Sequence, residues 1–216
     1  MIGTLRVPIR PAGAALLVAG MLVATAAPHP SIIGDRRVAE VVLSTGTWRL
    51  MHFAVLVGCV AAAFGVVGLV AMFDGRLGRV GDLALAAAIV GLFVTASTMA
   101  IEATVFPEIA RRAPEVIDFD GPIFGSVWLR ALGSFAGGFQ LGLAALGLLA
   151  YREGTHRRAA VALIAGPVGF LALGLWFVPY IGPASTVAFG ASMCWWGWIL
   201  LSSERSTDAR AGAVPR

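Results

Sequence analysis

His52, Glu102 and Arg130 are the side chains of this sequence best suited to chemistry. His52 lies four residues inside Trp48, Glu102 four residues before Phe106, and Arg130 four residues after Ser126, each near the outer end of a long apolar segment. At about 1.5 Å of rise per residue, all three sit roughly 6 Å below the same boundary. A charge inside a membrane span costs roughly 2.5–3.5 kcal/mol on insertion scales, so such groups turn toward a bundle interior or water. Thr95, Thr98 and Glu102 follow i, i+3, i+7 spacing and share one helix face. Arg130 and Ser134 begin a second face that leads past Gly137 to Gln140, the only amide within a span. The pattern predicts a cavity that opens outward and narrows toward Gln140, lined by His52, Glu102, Arg130, Thr98, Ser134 and Gln140.

Such a layer could do three things. A Glu–Arg pair with a nearby His could satisfy itself and fix helix register. The cavity could take a small solute or ion. His52 could act as a base oriented by Glu102. Metal binding by His29, His52 and Glu102 is a weaker variant, because no His-x3-His or Cys-x2-Cys spacing supports it and Arg130 would oppose a cation. Paired intramembrane histidines for a b-type haem are lacking. Asp118-Phe119-Asp120-Gly121 starts like a calcium loop, yet no Glu follows at the required position. No nucleotide, serine-hydrolase or zinc-protease fingerprint occurs. No cofactor is expected, no residue is assigned as catalytic, and the reading leans away from an enzyme.

The elements that position these residues are apolar helices. Of the 216 residues 13% are charged and 58% hydrophobic, with a mean hydropathy of +0.86. A soluble domain carries about a quarter charged residues. The 16 basic residues are all Arg, which reads as the coding bias of a GC-rich bacterial genome. They are scattered between apolar runs and form no stripe for a nucleic-acid backbone. Cys59 and Cys194 both fall within apolar runs and read as small hydrophobes.

Six segments have the length to span, at residues 11–27, 48–73, 83–106, 126–151, 159–178 and 184–201. The prediction is therefore an all-α, polytopic transmembrane bundle in one domain, residues 1–204, with a disordered cytoplasmic tail at 205–216. The first segment is read as an uncleaved helix. Arg6, Arg10 and the Ala24-Thr25-Ala26 triplet leave a cleaved signal open, which would leave five helices. Arginines are denser on the side that holds Arg76, Arg79, Arg152, Arg157 and Arg158, which predicts cytoplasmic termini in a bacterial inner membrane. Trp48, Trp128, Trp176 and Tyr180 would mark the outer interface. Tyr151, Trp195, Trp196 and Trp198 would mark the inner one.

Gly133-x3-Gly137, Gly138-x3-Gly142, Gly58-x3-Ala62 and Ala61-x3-Gly65 let backbones approach. They predict a four-helix core from spans two to five, with spans one and six peripheral. A weak repeat of about 80 residues pairs Trp48-Arg49-Leu50 with Trp128-Leu129-Arg130. Trp48-x3-His52, the Gly-rich run to Gly68-Leu69, and Glu102 before Phe106-Pro107 are similar to uncharacterised multi-pass inner-membrane proteins of GC-rich bacteria. That resemblance covers residues 45–200 and implies architecture, with no activity attached. The leading expectation is a non-enzymatic membrane protein with an outer pocket for a small solute or ion. The alternatives are a structural or accessory subunit of a membrane complex and an enzyme using the His52–Glu102 pair; the partners left open are the lipid bilayer, a small solute or ion, and membrane proteins or further copies of the chain in a homo-oligomer.

Overall fold

The computed structural model describes residues 7–29, 37–118, 120–174 and 180–203. The tail from 204 onward, Trp176 and the end of the fifth span lie outside the described residues. Those described are all-helical, and five helices are long and apolar enough to cross a membrane, which marks an integral membrane protein.

The helices are α1 (Ile9–Ala24), α2 (Val38–Ser44), α3 (Trp48–Ala71), α4 (Gly78–Thr104), α5 (Phe106–Arg112), α6 (Val127–Arg152), α7 (Arg157–Gly169) and α8 (Ile181–Ser203). Pro107 stands in the first turn of α5, where its missing N–H leaves nothing unpaired, and the chain bends there out of α4. Pro183 likewise lies within the start of α8, in a position expected to be a break between spans. Within α7, Pro167 removes a donor from the ladder, and the helix loosens into a π turn over Phe170–Gly174. Asp74 and Gly75 take positive φ in the turn from α3 to α4, a conformation that Asp and Gly tolerate.

The long helices form a closed ring in chain order. α1 packs on α3, α3 on α4, α4 on α6, α6 on α7 and α7 on α8, and α8 returns to α1. Neighbours run antiparallel: Gly91 of α4 meets Gly138 and Phe139 of α6, whereas Ala84 meets Gly142. Spans two to five are consecutive neighbours, as expected. The first and last helices are not peripheral, however, because they close the ring. Leu16 and Ala19 of α1 and Met193, Trp196 and Leu200 of α8 are fully buried. α1 has 16 residues, and α7 has 13, reaching 18 when its π turn to Gly174 is included.

The seam between α1 and α8 is built on glycine. A Cβ on Gly20 would lie 2.4 Å from the Gly190 carbonyl oxygen, and one on Gly190 2.4 Å from the Gly20 oxygen. Gly13 and Gly197 make a second reciprocal pair at 2.8 and 2.7 Å. The pairs are seven residues apart on each helix, two turns along one face.

Two aromatic expectations need correction. Trp196 is not an interfacial belt residue; it is fully buried and donates its indole N–H to the Ala159 carbonyl oxygen at 2.9 Å, tying α8 to α7. Trp48 is buried as well, at 3% exposure, whereas its repeat counterpart Trp128 is 81% exposed. Hydropathy scores a core indole and a belt indole alike, and neighbours decide between them. Trp196→Phe is expected to cost about 1–3 kcal/mol through the lost hydrogen bond and the void left behind. It would be read as a lowered thermal midpoint in detergent, and an unchanged midpoint would refute the assignment.

α2, α5 and the 3-10 turn Pro114–Val116 form a small cap with a second hydrophobic cluster of Val38, Val42, Trp48, Phe106, Ala110 and Ile117. Trp48 belongs to this cluster and also opens α3. At the cap surface Glu108 pairs with Arg49 at 3.4 Å and Arg111 at 3.0 Å. At the opposite end of the ring Arg76 meets Glu153 at 3.6 Å. Exposed pairs of this kind contribute less than about 1 kcal/mol each.

Candidate functional site

α3 and α4 are clasped where the cap meets the ring. Trp48 and His52 are one helical turn apart on α3, so both rings project toward the same neighbour. Their centroids are 4.3 Å apart. The Trp48 indole N–H donates to the Glu102 carbonyl oxygen at 2.8 Å. Glu102 lies in the last turn of α4, where carbonyls run out of intrahelical donors, so the indole fills a vacancy the helix end creates. His52 Nε2 lies 2.8 Å from Glu102 Oε2. α3 thus grips one residue of α4 through both its main chain and its side chain.

The other ring nitrogen fixes the proton count. His52 Nδ1 is 2.7 Å from the Trp48 carbonyl oxygen, which can only accept, so Nδ1 carries a hydrogen. The contact between Nε2 and Glu102 then holds a single proton, on the imidazole or on the carboxyl. The pair is neutral overall in either arrangement. Its side chains are 3% and 19% exposed, and at that burial a pair with no net charge costs less than a lone ion. His29, just past α1, adds a third ring, with centroids 5.2 Å from Trp48 and 5.4 Å from His52.

A cavity of about 550 Å³ opens beside this clasp, inside the ring. His52, Glu102, Thr98, Ser134 and Gln140 all line it, so α3, α4 and α6 bring five of the six predicted residues together. Arg130 is not among them. Its side chain is exposed and donates to the Gly125 carbonyl oxygen at 3.1 Å, while His52 holds the carboxylate that Arg130 was expected to meet. The depth of Arg130 follows from counting along α6; its long side chain turns back toward the preceding loop.

Other lining residues were not singled out from the sequence: Cys59, Thr186 of α8, and Phe170, Leu171 and Gly174 of the π turn. Gly133 and Gly137, expected to pack helices, border the cavity instead; a Cβ on Gly133 would meet nothing within 4 Å. The deepest predicted residue, Gln140, is 5% exposed, and its Oε1 is buried without a hydrogen-bond partner. A buried amide oxygen left unpaired is costly, and a ligand donor would satisfy it.

The hydroxyls of the wall are already committed. Thr95 donates to Gly91, Thr98 to Val94, Ser134 to Arg130 and Thr186 to Gly182, each to a main-chain carbonyl oxygen at 2.8–3.0 Å. Toward the cavity these oxygens offer lone pairs only. The metal set considered above is not assembled: among the described residues no three His, Cys, Asp or Glu side chains are placed to hold a metal ion.

The chain matches no protein-family model, no curated protein and no solved structure.

Proposed function

We propose that the protein is a solute-binding protein of the bacterial cytoplasmic membrane, with both termini on the cytoplasmic side and the cavity facing outward. The cavity receives a small amphipathic molecule and carries out no covalent chemistry on it. The observation behind this reading is the gathering of His52, Glu102, Thr98, Ser134 and Gln140 around one space of about 550 Å³, a size suited to a small organic ligand. Ionisable groups within spans are expensive, and their concentration at a single cavity is the usual mark of a ligand path. The π turn in its wall supports the same reading, since such turns cluster at functional sites.

Thiol accessibility tests it. In a chain with Cys59 and Cys194 replaced by Ala, a Ser134→Cys variant should react with a membrane-impermeant thiol reagent added to the outer face of intact cells. Access from the cytoplasmic face alone, or from neither face, would remove the proposal.

A further inference from the structure

The geometry points to a small organic monocation, an alkyl- or arylammonium, as the ligand of this cavity, bound in exchange for the proton shared by His52 and Glu102. The inference rests on the solute-binding reading and names the solute class and its coupling.

The wall shows what it lacks. An anion would need a charged donor, yet Arg130 has turned away to Gly125 and the four wall hydroxyls are spent on carbonyl oxygens, which leaves the neutral Gln140 amide nitrogen as a donor. A bare metal ion would need several converging ligands, and no such group exists among the described residues. What the wall offers is acceptors: Thr95, Thr98 and Glu102 along α4, with Ser134 and the unpaired Oε1 of Gln140 on α6. An ammonium is a compact charge with only donors to give. The remaining wall is apolar and aromatic, with Met51, Val55, Met99, Phe139, Phe170 and Phe189. It fits a hydrocarbon body and offers ring faces to a cation.

Charge balance supplies the coupling. With its shared proton the His52–Glu102 pair is neutral, so an ammonium entering beside it would leave one uncompensated positive charge in a low-dielectric space. Loss of that proton to the water at the mouth leaves neutral His52, with hydrogen on Nδ1, facing an ionised Glu102. The resulting single negative charge matches the single positive charge of the ligand. One N–H or O–H bond to the shared proton is broken and no other bond changes. The ionisable groups facing the pair are His29 from the segment after α1 and, deeper on α3, Cys59. Arg130 of α6, together with Arg49, Glu108 and Arg111, lies outside the lining, and the described part of α8 brings no acid or base to it.

Calorimetry on the full-length protein in nanodiscs, with benzylammonium and its shape-matched neutral analogue benzyl alcohol, tests this. Benzylammonium should bind with release of up to one proton, read from titrations in buffers of different ionisation enthalpy. Its affinity should rise by up to about tenfold per pH unit while the pair remains protonated. Glu102→Gln, which keeps a hydrogen-bonding group against His52, should abolish proton release and weaken binding by about tenfold or more. Gln140→Leu leaves the pair intact, so it should weaken benzylammonium binding without changing the number of protons released. Equal binding of amine and alcohol with no proton release would overturn the inference while leaving solute binding in place. Failure of the amine to bind while Ser134→Cys still labels from outside would also overturn the inference alone. Loss of both binding and labelling would overturn the two readings together.

Discussion

Gly190→Ala is expected to destabilise the protein by about 3 kcal/mol, the upper range of overpacking costs, for the addition of one methyl group. The new Cβ would lie 2.4 Å from the Gly20 carbonyl oxygen, and behind that oxygen is helix backbone, which cannot rotate aside as a side chain can. Relief requires α8 to move off α1, opening a seam that also relies on Gly13 and Gly197. The contrast is Gly133→Ala, where nothing lies within 4 Å; there the better helix propensity of Ala should be neutral or stabilising by up to about 1 kcal/mol. Thermal unfolding in one detergent compares the two. Equal midpoints for both variants would contradict the seam.

Glu102→Ala is the second large effect, at about 3 kcal/mol, because it leaves a buried imidazole facing an apolar wall with its Nε2 unpaired. The double variant His52→Leu/Glu102→Leu removes both polar groups and should recover a good part of that loss. The Trp48 indole bond should persist in each variant, since it goes to the main chain of residue 102. Arg130→Ala, on an exposed side chain bonded to a nearby carbonyl, should stay within about 0.5 kcal/mol of the parent. A double variant no more stable than Glu102→Ala alone would show that the pair is not the unit described.

The sequence carried the helices with little loss, and with them the shared level of His52 and Glu102 along α3 and α4, because lipid demands apolar length and a helix converts residue number into height. His52 and Glu102 were placed at a common level by counting, and they touch. Rotation about each helix axis and the reach of a side chain are not written in that count. Arg130 is the example: its level on α6 was legible, but its turn back to Gly125 was not. Gly133 and Gly138 look alike in the sequence, yet one borders a cavity and the other presses on α4. The indoles failed for a related reason, since Trp48 and Trp196 sit near helix ends where belts also occur. Closure of the ring had a faint trace in the seven-residue spacing of Gly13 and Gly20, repeated in Gly190 and Gly197. Nothing local says that these two runs meet.

That meeting sets an order of events during synthesis. The Cys194 thiol touches the Leu17 carbonyl oxygen across 177 positions of chain, so α8 leaves the ribosome after every other helix of the ring. Until then α1 has only α3 beside it among the ring helices, its glycine face is uncovered, and the interior of the ring stays open along one side. Contacts between distant segments form late because the whole intervening chain must be in place first. A ring stopped before α8 would leave the faces of α1 and α7 that α8 covers unsealed.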